Sequence, residues 1–196
     1  MHYDAIKRDH GLPIDPFKAI VMPRPIGWIS TVSSSGICNL APYSFFNAVA
    51  DTPPYVMFAS GARKDSQRNA EETGEFVCSI VSYDLREAMN ATSATVSPDV
   101  DEFELAGLEK AASRFVAPPR VKAAPAALEC RYWKSVELPG GSETGTLVIG
   151  AVVGIYLDDR FVKDGRVDSI AMRPLARLGY SEYAVAEAAF RMRRPD

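Results

Sequence analysis

Histidine and cysteine are both scarce in this sequence, and their scarcity excludes several kinds of catalytic site. The chain has two histidines, His2 and His10, both near its start, so a histidine-based triad or a histidine-rich metal site is nearly excluded. The three cysteines, Cys38, Cys78 and Cys130, are too far apart for a zinc or redox motif. We interpret them as buried or half-buried thiols in a reducing compartment, and we expect any chemistry to come from a cofactor.

Long apolar runs are also missing. The longest run, residues 147–157, is interrupted by Gly150 and Gly154 and is far shorter than the roughly 20 residues of a membrane-spanning helix. Residues 1–10 are polar and charged, which predicts no secretory signal. The net charge of −3 argues against a general nucleic-acid binder. We therefore expect a cytoplasmic protein whose partners include neither a membrane nor a nucleic acid.

The usual nucleotide and nucleophile motifs are absent as well. No Gly-x-Gly-x-x-Gly segment follows a strand, and no Gly-Lys-Ser/Thr loop occurs, so a dinucleotide fold and a P-loop are both disfavoured. No serine lies in a nucleophile elbow.

What the sequence does have is a series of β-branched and aromatic runs with only short helical segments between them. These runs predict a barrel or sandwich in one domain over residues 1–196. Gly150 and Gly154 in the last long strand predict that it bends or is closely approached by other groups. Residues 65–73 are polar helix formers followed by Gly74, which predicts a helix that ends there. Residues 184–192 predict a further short helix.

Two strand segments are rich in groups that could face a ligand. In residues 23–31, prolines flank a strand in which Ser30 and Thr31 place hydroxyls on opposite faces, although an ordinary strand with a polar face explains them equally simply. In residues 39–47, aromatic rings surround small and amide side chains. A flat heterocycle such as isoalloxazine needs both, but a buried core strand has the same composition.

A third segment, Arg63-Lys64-Asp65-Ser66, precedes the predicted polar helix. Free amides at a helix N-terminus, together with a cation and a hydroxyl, make a phosphate site. Asp65 complicates this prediction, because as an N-cap it would occupy those amides itself and repel a phosphate. Lys64 and Ser66 are therefore better phosphate candidates, and a solvated, capped helix end is the alternative.

Taken together and in this order, these segments resemble the flavin reductase-like, FMN-binding split-barrel family. The similarity extends from about Phe17 to Tyr183, and each motif is modest while their number and order are specific. The matching stretches are residues 24–31, 39–47, 64–76, 126–130, 146–150 and 173–179.

The resemblance implies a mainly β fold, a six-stranded Greek-key split β-barrel with short flanking helices, that forms a homodimer with FMN near the subunit interface. It places Ser30 and Thr31 beside the cofactor. It also implies that the flavin ring lies along the segment Ser44, Phe45, Phe46 and Asn47. The phosphate would be held by Arg63, Lys64 and Ser66, with Arg177 as a weaker candidate. This chain departs from the family pattern at Ser66, Tyr156 and Tyr180, where Thr, His and Gly are frequent; the first change keeps a hydroxyl.

The implied activity is that of an NAD(P)H-dependent FMN reductase. Hydride transfer from a nicotinamide to flavin N5 needs alignment more than an acid or base, so the scarcity of histidine is no obstacle. The acceptor would be free flavin, a partner oxygenase, a ferric chelate or a small organic molecule. Two alternatives remain: a flavoenzyme with tightly bound FMN and an unknown small substrate, and a non-catalytic barrel for flavin storage or protein interaction.

Overall fold

The structure is a computed structural model that describes residues 1–140 and 145–195. Four α-helices lie in these ranges: α1 (Phe17–Ile20), α2 (Asp65–Thr73), α3 (Arg86–Ala91) and α4 (Glu102–Leu105). Two 3₁₀ turns span Tyr83–Leu85 and Asp159–Phe161. The strands are β1 (Arg24–Pro25), β2 (Gly27–Val32), β3 (Cys38–Tyr43), β4 (Phe46–Asp51), β5 (Pro54–Ser60), β6 (Glu75–Ile80), β7 (Lys110–Ala111), β8 (Arg120–Val121), β9 (Ala126–Glu137), β10 (Thr146–Leu157), β11 (Val162–Lys163), β12 (Arg166–Val167), β13 (Leu175–Arg177) and β14 (Tyr183–Val185).

The largest sheet has the order β3-β2-β6-β9-β10-β5-β4, with antiparallel pairing between neighbours. Its connections skip strands, as in a Greek key, and the sheet curls into a split barrel, so the predicted mainly β fold is confirmed. The predicted count of six strands is one too low. The chain turns at Ser44 and Phe45, so residues 39–47 comprise most of β3 and the start of β4 rather than one strand.

The barrel interior is an apolar cluster that includes Ile29, Phe58 and Phe76, all fully buried. A second cluster, around Trp28 and Phe103, covers the opposite face of β2. Strand β2 is therefore buried on both faces, which explains its nearly continuous apolar and small side chains. The cysteines behave as predicted: Cys78 and Cys130 are buried, Cys38 is half-buried, and all three are free thiols.

The two glycines of β10 are positions of close approach, as predicted. A Cβ on Gly150 would lie 2.4 Å from the Phe76 ring, and a Cβ on Gly154 would lie 2.4 Å from the Phe115 ring. The pairing of β9 with β10 shifts register next to both glycines, so the strand bends there.

Helix α2 has the predicted bounds, and Gly74 follows it in the left-handed conformation with φ of 77°. It packs across β2, β3, β6 and β9 through a buried face that includes Asn69 and Ala70. The helix predicted over residues 184–192 is wrong: Tyr183–Val185 is the edge strand β14, paired with β13. Pairing with β13 overrides the local helix preference. In the described residues, no helix has the length and apolar character needed to cross a membrane.

Candidate functional site

A cleft of about 520 Å³ opens where β3 ends and α2 begins. We call it the α2 cleft. Its walls come from the end of β3 with the Ser44–Phe45 turn, from residues 61–66 at the start of α2, and from the segment after α3. Five of the sequence-predicted site residues line it: Ser44, Phe45, Arg63, Lys64 and Ser66.

The start of α2 presents uncapped backbone amides to this cleft. Lys64 occupies the N-cap position, and no side chain caps the helix. Asp65 is the first helical residue rather than the N-cap, and its carboxylate pairs with Arg68. The predicted competition between Asp65 and a phosphate for the amides is therefore absent, and the positive end of the helix dipole remains free to attract an anion.

The two cations at this end of the cleft differ in their partners. The Arg63 guanidinium lies 3.0 Å from the Glu71 carboxylate, which neutralises much of its charge. In the described part of the chain, the Lys64 ammonium has no hydrogen-bond or ion-pair partner. Lys64 is thus the cation that is free to bind an anionic ligand.

Behind the cleft lies a buried polar network, which we define as Thr31, Asn39, Ser66, Asn69 and Glu102. The Ser66 hydroxyl donates to Asn39 Oδ1 at 2.8 Å. The Glu102 carboxylate accepts from Asn39 Nδ2 and from the Leu40 amide, both at 2.9 Å. Burial raises the pKa of Glu102, although these hydrogen bonds act in the opposite direction. Because its hydroxyl is already a donor to Asn39, Ser66 can offer a ligand chiefly its backbone amide.

Ser30 and Thr31 have no exposed surface and do not line the cleft. As predicted, their side chains point to opposite faces of β2. Ser30 donates to the Pro119 carbonyl, and Thr31 accepts from Asn69 Nδ2 at 3.1 Å. Both hydroxyls therefore have partners within the protein, and Thr31 can influence the cleft only through the buried polar network.

Residues 44–47 divide into two pairs. Ser44 and Phe45 lie at the cleft, and Phe45 is 40% exposed. Phe46 belongs to the barrel core, where its ring lies 2.5 Å from the point at which a Cβ on Gly27 would stand. Asn47 is exposed on β4, and its side chain accepts a hydrogen bond from the Ala48 amide at 2.9 Å. The aromatic composition of this segment thus serves the core as well as the cleft.

Arg177 lies outside the cleft, in a neighbouring pocket of about 490 Å³. We call this the cationic pocket because Arg8, Lys18, Arg24 and Arg177 all line it. Ser44 and Phe45 line both spaces, so the two are adjacent.

Sequence reasoning missed one wall of the α2 cleft, the segment Thr92-Ser93-Ala94-Thr95. Thr92 accepts from the Trp28 indole at 2.9 Å and donates to the Met89 carbonyl at 2.8 Å, which fixes the start of this segment. A run of hydroxyl residues directly after a helix was the available signal. Ser and Thr also commonly end helices by bonding to local carbonyls, so this run does not by itself indicate a cleft wall.

One buried polar atom at the cleft, Tyr43 Oη, lacks a partner among the described residues. Burial raises the pKa of Tyr43, and the nearby hydroxyls of Ser66 and Ser60 oppose that rise without well-aligned bonds to the phenol. Native proteins rarely leave such atoms unsatisfied unless a ligand or water completes them. A free cation, helix amides, the spare phenol donor of Tyr43 and an exposed aromatic ring together fit a phosphorylated, flat heterocycle such as FMN.

The fold and the cleft together define a split-barrel protein with a candidate ligand site where β3 ends. The chain belongs to the family of the flavin reductase like domain, whose model matches residues 19–176. An uncharacterized protein of Aquifex aeolicus is 39% identical over 173 residues, which cover 85% of this chain and 86% of the relative.

Two solved structures are similar along nearly the full length. Nitrilotriacetate monooxygenase component B from Bacillus cereus has a TM-score of 0.87 and 31% identity, covering 98% of both chains. The 2-nitrobenzoate 2-nitroreductase of Pseudomonas fluorescens has a TM-score of 0.87 and 27% identity, covering 100% of this chain and 96% of that one. Family membership and fold together make this a protein of the flavin reductase kind.

Proposed function

We propose that the chain is an NAD(P)H-dependent FMN reductase whose single domain, residues 1–196, holds FMN in the α2 cleft. The observation that carries this proposal is the Lys64 ammonium, unpaired among the described residues, at the uncapped start of α2 and in the same cleft as the exposed Phe45 ring. A dianionic phosphate and a flat aromatic ring need these two surfaces within one cleft.

In this proposal one end of the cleft binds the phosphate of FMN and the other binds its ring. Lys64 and the first amides of α2, including that of Ser66, bind the phosphate, with Arg63 adding a partly neutralised charge. Ser44 and Phe45 bind and orient the ring, and Tyr43 offers its unsatisfied hydroxyl. Bound FMN would supply the redox chemistry, by taking a hydride from NAD(P)H at N5 and delivering electrons to a small-molecule or flavin acceptor. The protein holds the reactants in alignment and needs no acid or base for this.

The proposed assembly is a homodimer, supported by apolar side chains on the outside of the barrel. Trp133 of β9 is 59% exposed and Ile155 of β10 is 68% exposed, while Val49 and Val153 are also exposed on β4 and β10. Apolar side chains exposed on the barrel strands are available to an interaction surface, and a second copy of the chain is the partner that the family resemblance implies. The free cysteines fit the proposed cytoplasmic location.

Sedimentation tests the dimer. The change Ile155→Glu introduces a charge at this surface, so we expect the mass to fall to that of a monomer at micromolar concentration. Val167→Glu is the matched control, because Val167 is 51% exposed on the separate β11–β12 hairpin. An unchanged mass for both variants would remove this surface from the dimer interface.

The decisive test of activity begins with the absorbance spectrum of the purified protein. We expect flavin bands, or flavin binding on titration with FMN. Anaerobic rapid mixing of the FMN-loaded protein with NADH and with NADPH should then bleach the visible band. Bound FMN that neither donor reduces would reject the reductase activity and favour the non-catalytic barrel. A protein that binds no FMN would refute the proposal as a whole.

A second candidate is a flavoenzyme that keeps FMN tightly bound and reduces its own small substrate. The similarity to 2-nitrobenzoate 2-nitroreductase favours it. The two functions differ in flavin retention: a yellow protein after gel filtration, with turnover of a nitroaromatic and none of free flavin, supports the second. Rapid turnover of added FMN by a protein that loses its colour on the column supports the first.

A further inference from the structure

The cationic pocket has more positive than negative side chains in its lining. Among the described residues, four cationic side chains line it, from Arg8, Lys18, Arg24 and Arg177, against the single carboxylate of Asp15. That carboxylate already pairs with Arg8 at 3.6 Å. The net charge of the chain is −3, so this positive charge is concentrated locally. Such a concentration of positive charge attracts an anionic ligand.

Two of the arginines face each other directly across a β-ladder. Arg24 of β1 is the register partner of Arg177 of β13. Like charges placed directly opposite on neighbouring strands repel and destabilise the pair. Consistent with this, burial and then the nearby charge of Arg177 lower the pKa of Arg24.

The partners of these arginines are neutral. The Arg24 guanidinium donates to the carbonyls of Lys18, Val21 and Leu178, and it is only 7% exposed. Arg177 donates to the Tyr180 carbonyl and the Tyr183 hydroxyl. These bonds orient the guanidinium groups without neutralising them. Arg177 is half-buried, so it remains accessible to a ligand, while Arg24 adds its positive potential from behind.

The pocket adjoins the place proposed for the flavin ring. Ser44 and Phe45 line both the α2 cleft and the cationic pocket. Phe17 and Tyr180, which are 55% and 49% exposed, add aromatic surface to the pocket walls. A ligand that stacks near Phe45 can therefore extend a charged group toward Arg177.

We propose that the cationic pocket binds the anionic group, a carboxylate or a phosphate, of the small redox substrate that exchanges electrons with the flavin. In this proposal Arg177 contacts the anionic group directly, and Lys18 contributes a second positive charge. Buried Arg24 adds to the positive electrostatic potential of the pocket. This inference rests on the proposed function and deepens it by assigning a substrate class. The anion has two possible sources: the phosphates of a nicotinamide dinucleotide, or the carboxylate of an aromatic acceptor.

Calorimetric titration of the FMN-loaded protein tests the inference with two pairs of probes. Benzoate and benzamide have nearly the same shape and differ in charge; 2′,5′-ADP and adenosine differ in their phosphates. We expect at least one anion to bind, and to bind about tenfold or more weakly to Arg177→Gln, the loss expected for a charge-assisted contact. Lys18→Gln should weaken the same anion about threefold, and Arg177→Lys should restore part of the affinity.

The control variant is Arg166→Gln, which removes an exposed arginine on β12, away from the pocket lining. It should bind both anions as the unmodified protein does. Loss of benzoate binding alone in the Arg177 variant identifies an aromatic carboxylate as the substrate class, and loss of 2′,5′-ADP binding alone identifies the dinucleotide. Anion binding that neither Arg177→Gln nor Lys18→Gln weakens, or no anion binding at all, overturns the inference.

A separate FMN titration distinguishes this inference from the proposed function. In Arg177→Gln, the dissociation constant of FMN should stay within about twofold of the unmodified value, because the phosphate site is at Lys64. A large loss of FMN affinity would place Arg177 at the cofactor and overturn the inference while leaving the reductase proposal intact. If the protein binds no FMN, titrating the flavin-free protein with the same anions still measures the pocket.

Discussion

The buried polar network borders the α2 cleft, which shares the Ser44–Phe45 turn with the cationic pocket, and the charged groups of the network and of the pocket have opposite kinds of partner. In the network, the Glu102 carboxylate accepts hydrogen bonds from Asn39 and the Leu40 amide, and both bonds are internal. In the pocket, Arg24 and Arg177 face each other and donate to neutral partners. Polar groups that satisfy one another fix a structure, whereas charges without a counter-ion select a ligand. Substitutions should therefore affect stability in the network and binding at the cleft and pocket.

The largest expected effect is on stability, in Glu102→Ala. Glu102 is 4% exposed and is the acceptor for two buried donors, the amide of Leu40 and the side chain of Asn39. Its removal leaves both donors without this partner, at a cost of roughly 1–3 kcal/mol each. We expect the free energy of unfolding to fall by about 3 kcal/mol in denaturant titrations.

Glu104→Ala is the matched control on the same helix, because the Glu104 side chain is 80% exposed. It should change the free energy of unfolding by less than about 0.5 kcal/mol. Equal and small losses for both variants would show that the network does not stabilise the fold, and the contrast with the cationic pocket would fail.

The next effect is on binding, in Lys64→Ala. The Lys64 ammonium has no partner within the described residues, so its removal should leave the free energy of unfolding nearly unchanged. FMN affinity should fall by about 1–3 kcal/mol, the range for a lost charge-assisted hydrogen bond to phosphate. Flavin fluorescence quenching measures the dissociation constant, and Lys122→Ala, at an exposed lysine on another surface, is the control. An unchanged constant would remove Lys64 from the phosphate site.

A third variant, Thr92→Val, tests whether the segment that starts at Thr92 and lines the α2 cleft contributes to stability, as the buried polar network does. The buried indole of Trp28 would lose its acceptor, Thr92 Oγ1, while the shape of the side chain is kept. One unsatisfied buried donor should cost about 1.5 kcal/mol in unfolding free energy, about half the Glu102→Ala effect. Ser93→Ala should have almost no effect on stability. The Ser93 hydroxyl donates to the nearby Asn90 carbonyl, but this bond is exposed and water can replace it. Equal effects of the two variants would show that the Trp28 bond does not hold this wall.

Local patterns in the sequence are sufficient to predict the mainly β character of the chain, helix α2 and the two close-approach glycines. The run of polar helix formers ending at Gly74 predicts α2 because its start and end signals are contained within ten residues. Gly150 and Gly154 were informative because a glycine inside an apolar strand usually marks a bend or a group packed close against the backbone.

The hydrogen-bond partner of each individual hydroxyl cannot be predicted from the sequence, because it depends on contacts between distant parts of the chain. Ser66 bonds to Asn39 across 27 residues, and Asn39 bonds to Glu102 across 63. No local signal shows that these three groups meet, so Ser66 was predicted as a phosphate donor through a hydroxyl that is already occupied. The prediction for residues 184–192 is wrong for the same reason, since pairing with β13 decides the structure of Ala184 and Val185 and no helix forms after them.

The smallest expected effect is a pH dependence that separates the network from the pocket. Burial raises the pKa of Glu102 above its ordinary value of 4.5, with the nearby Asp65 charge acting in the same direction and the bonds from Leu40 and Asn39 opposing it. Between those two pKa values the folded protein holds a proton that the unfolded chain has released. The unfolding free energy contributed by Glu102 therefore falls as pH rises through this window and is constant above it.

Glu102→Gln isolates this effect, because glutamine has nearly the same shape and does not titrate. Subtracting its unfolding free energy from that of the unmodified protein, between about pH 4 and pH 7, should give a difference that decreases with pH by less than about 1.4 kcal/mol per pH unit. Glu104→Gln, at an exposed position on the same helix, is the matched control for the exchange of a carboxylate for an amide. A difference that instead increases with pH would mean that Asn39 and Leu40 stabilise the charged carboxylate more than burial penalises it. The contrast with the cationic pocket, where Arg24 and Arg177 have only neutral hydrogen-bond partners among the described residues, would then be weaker.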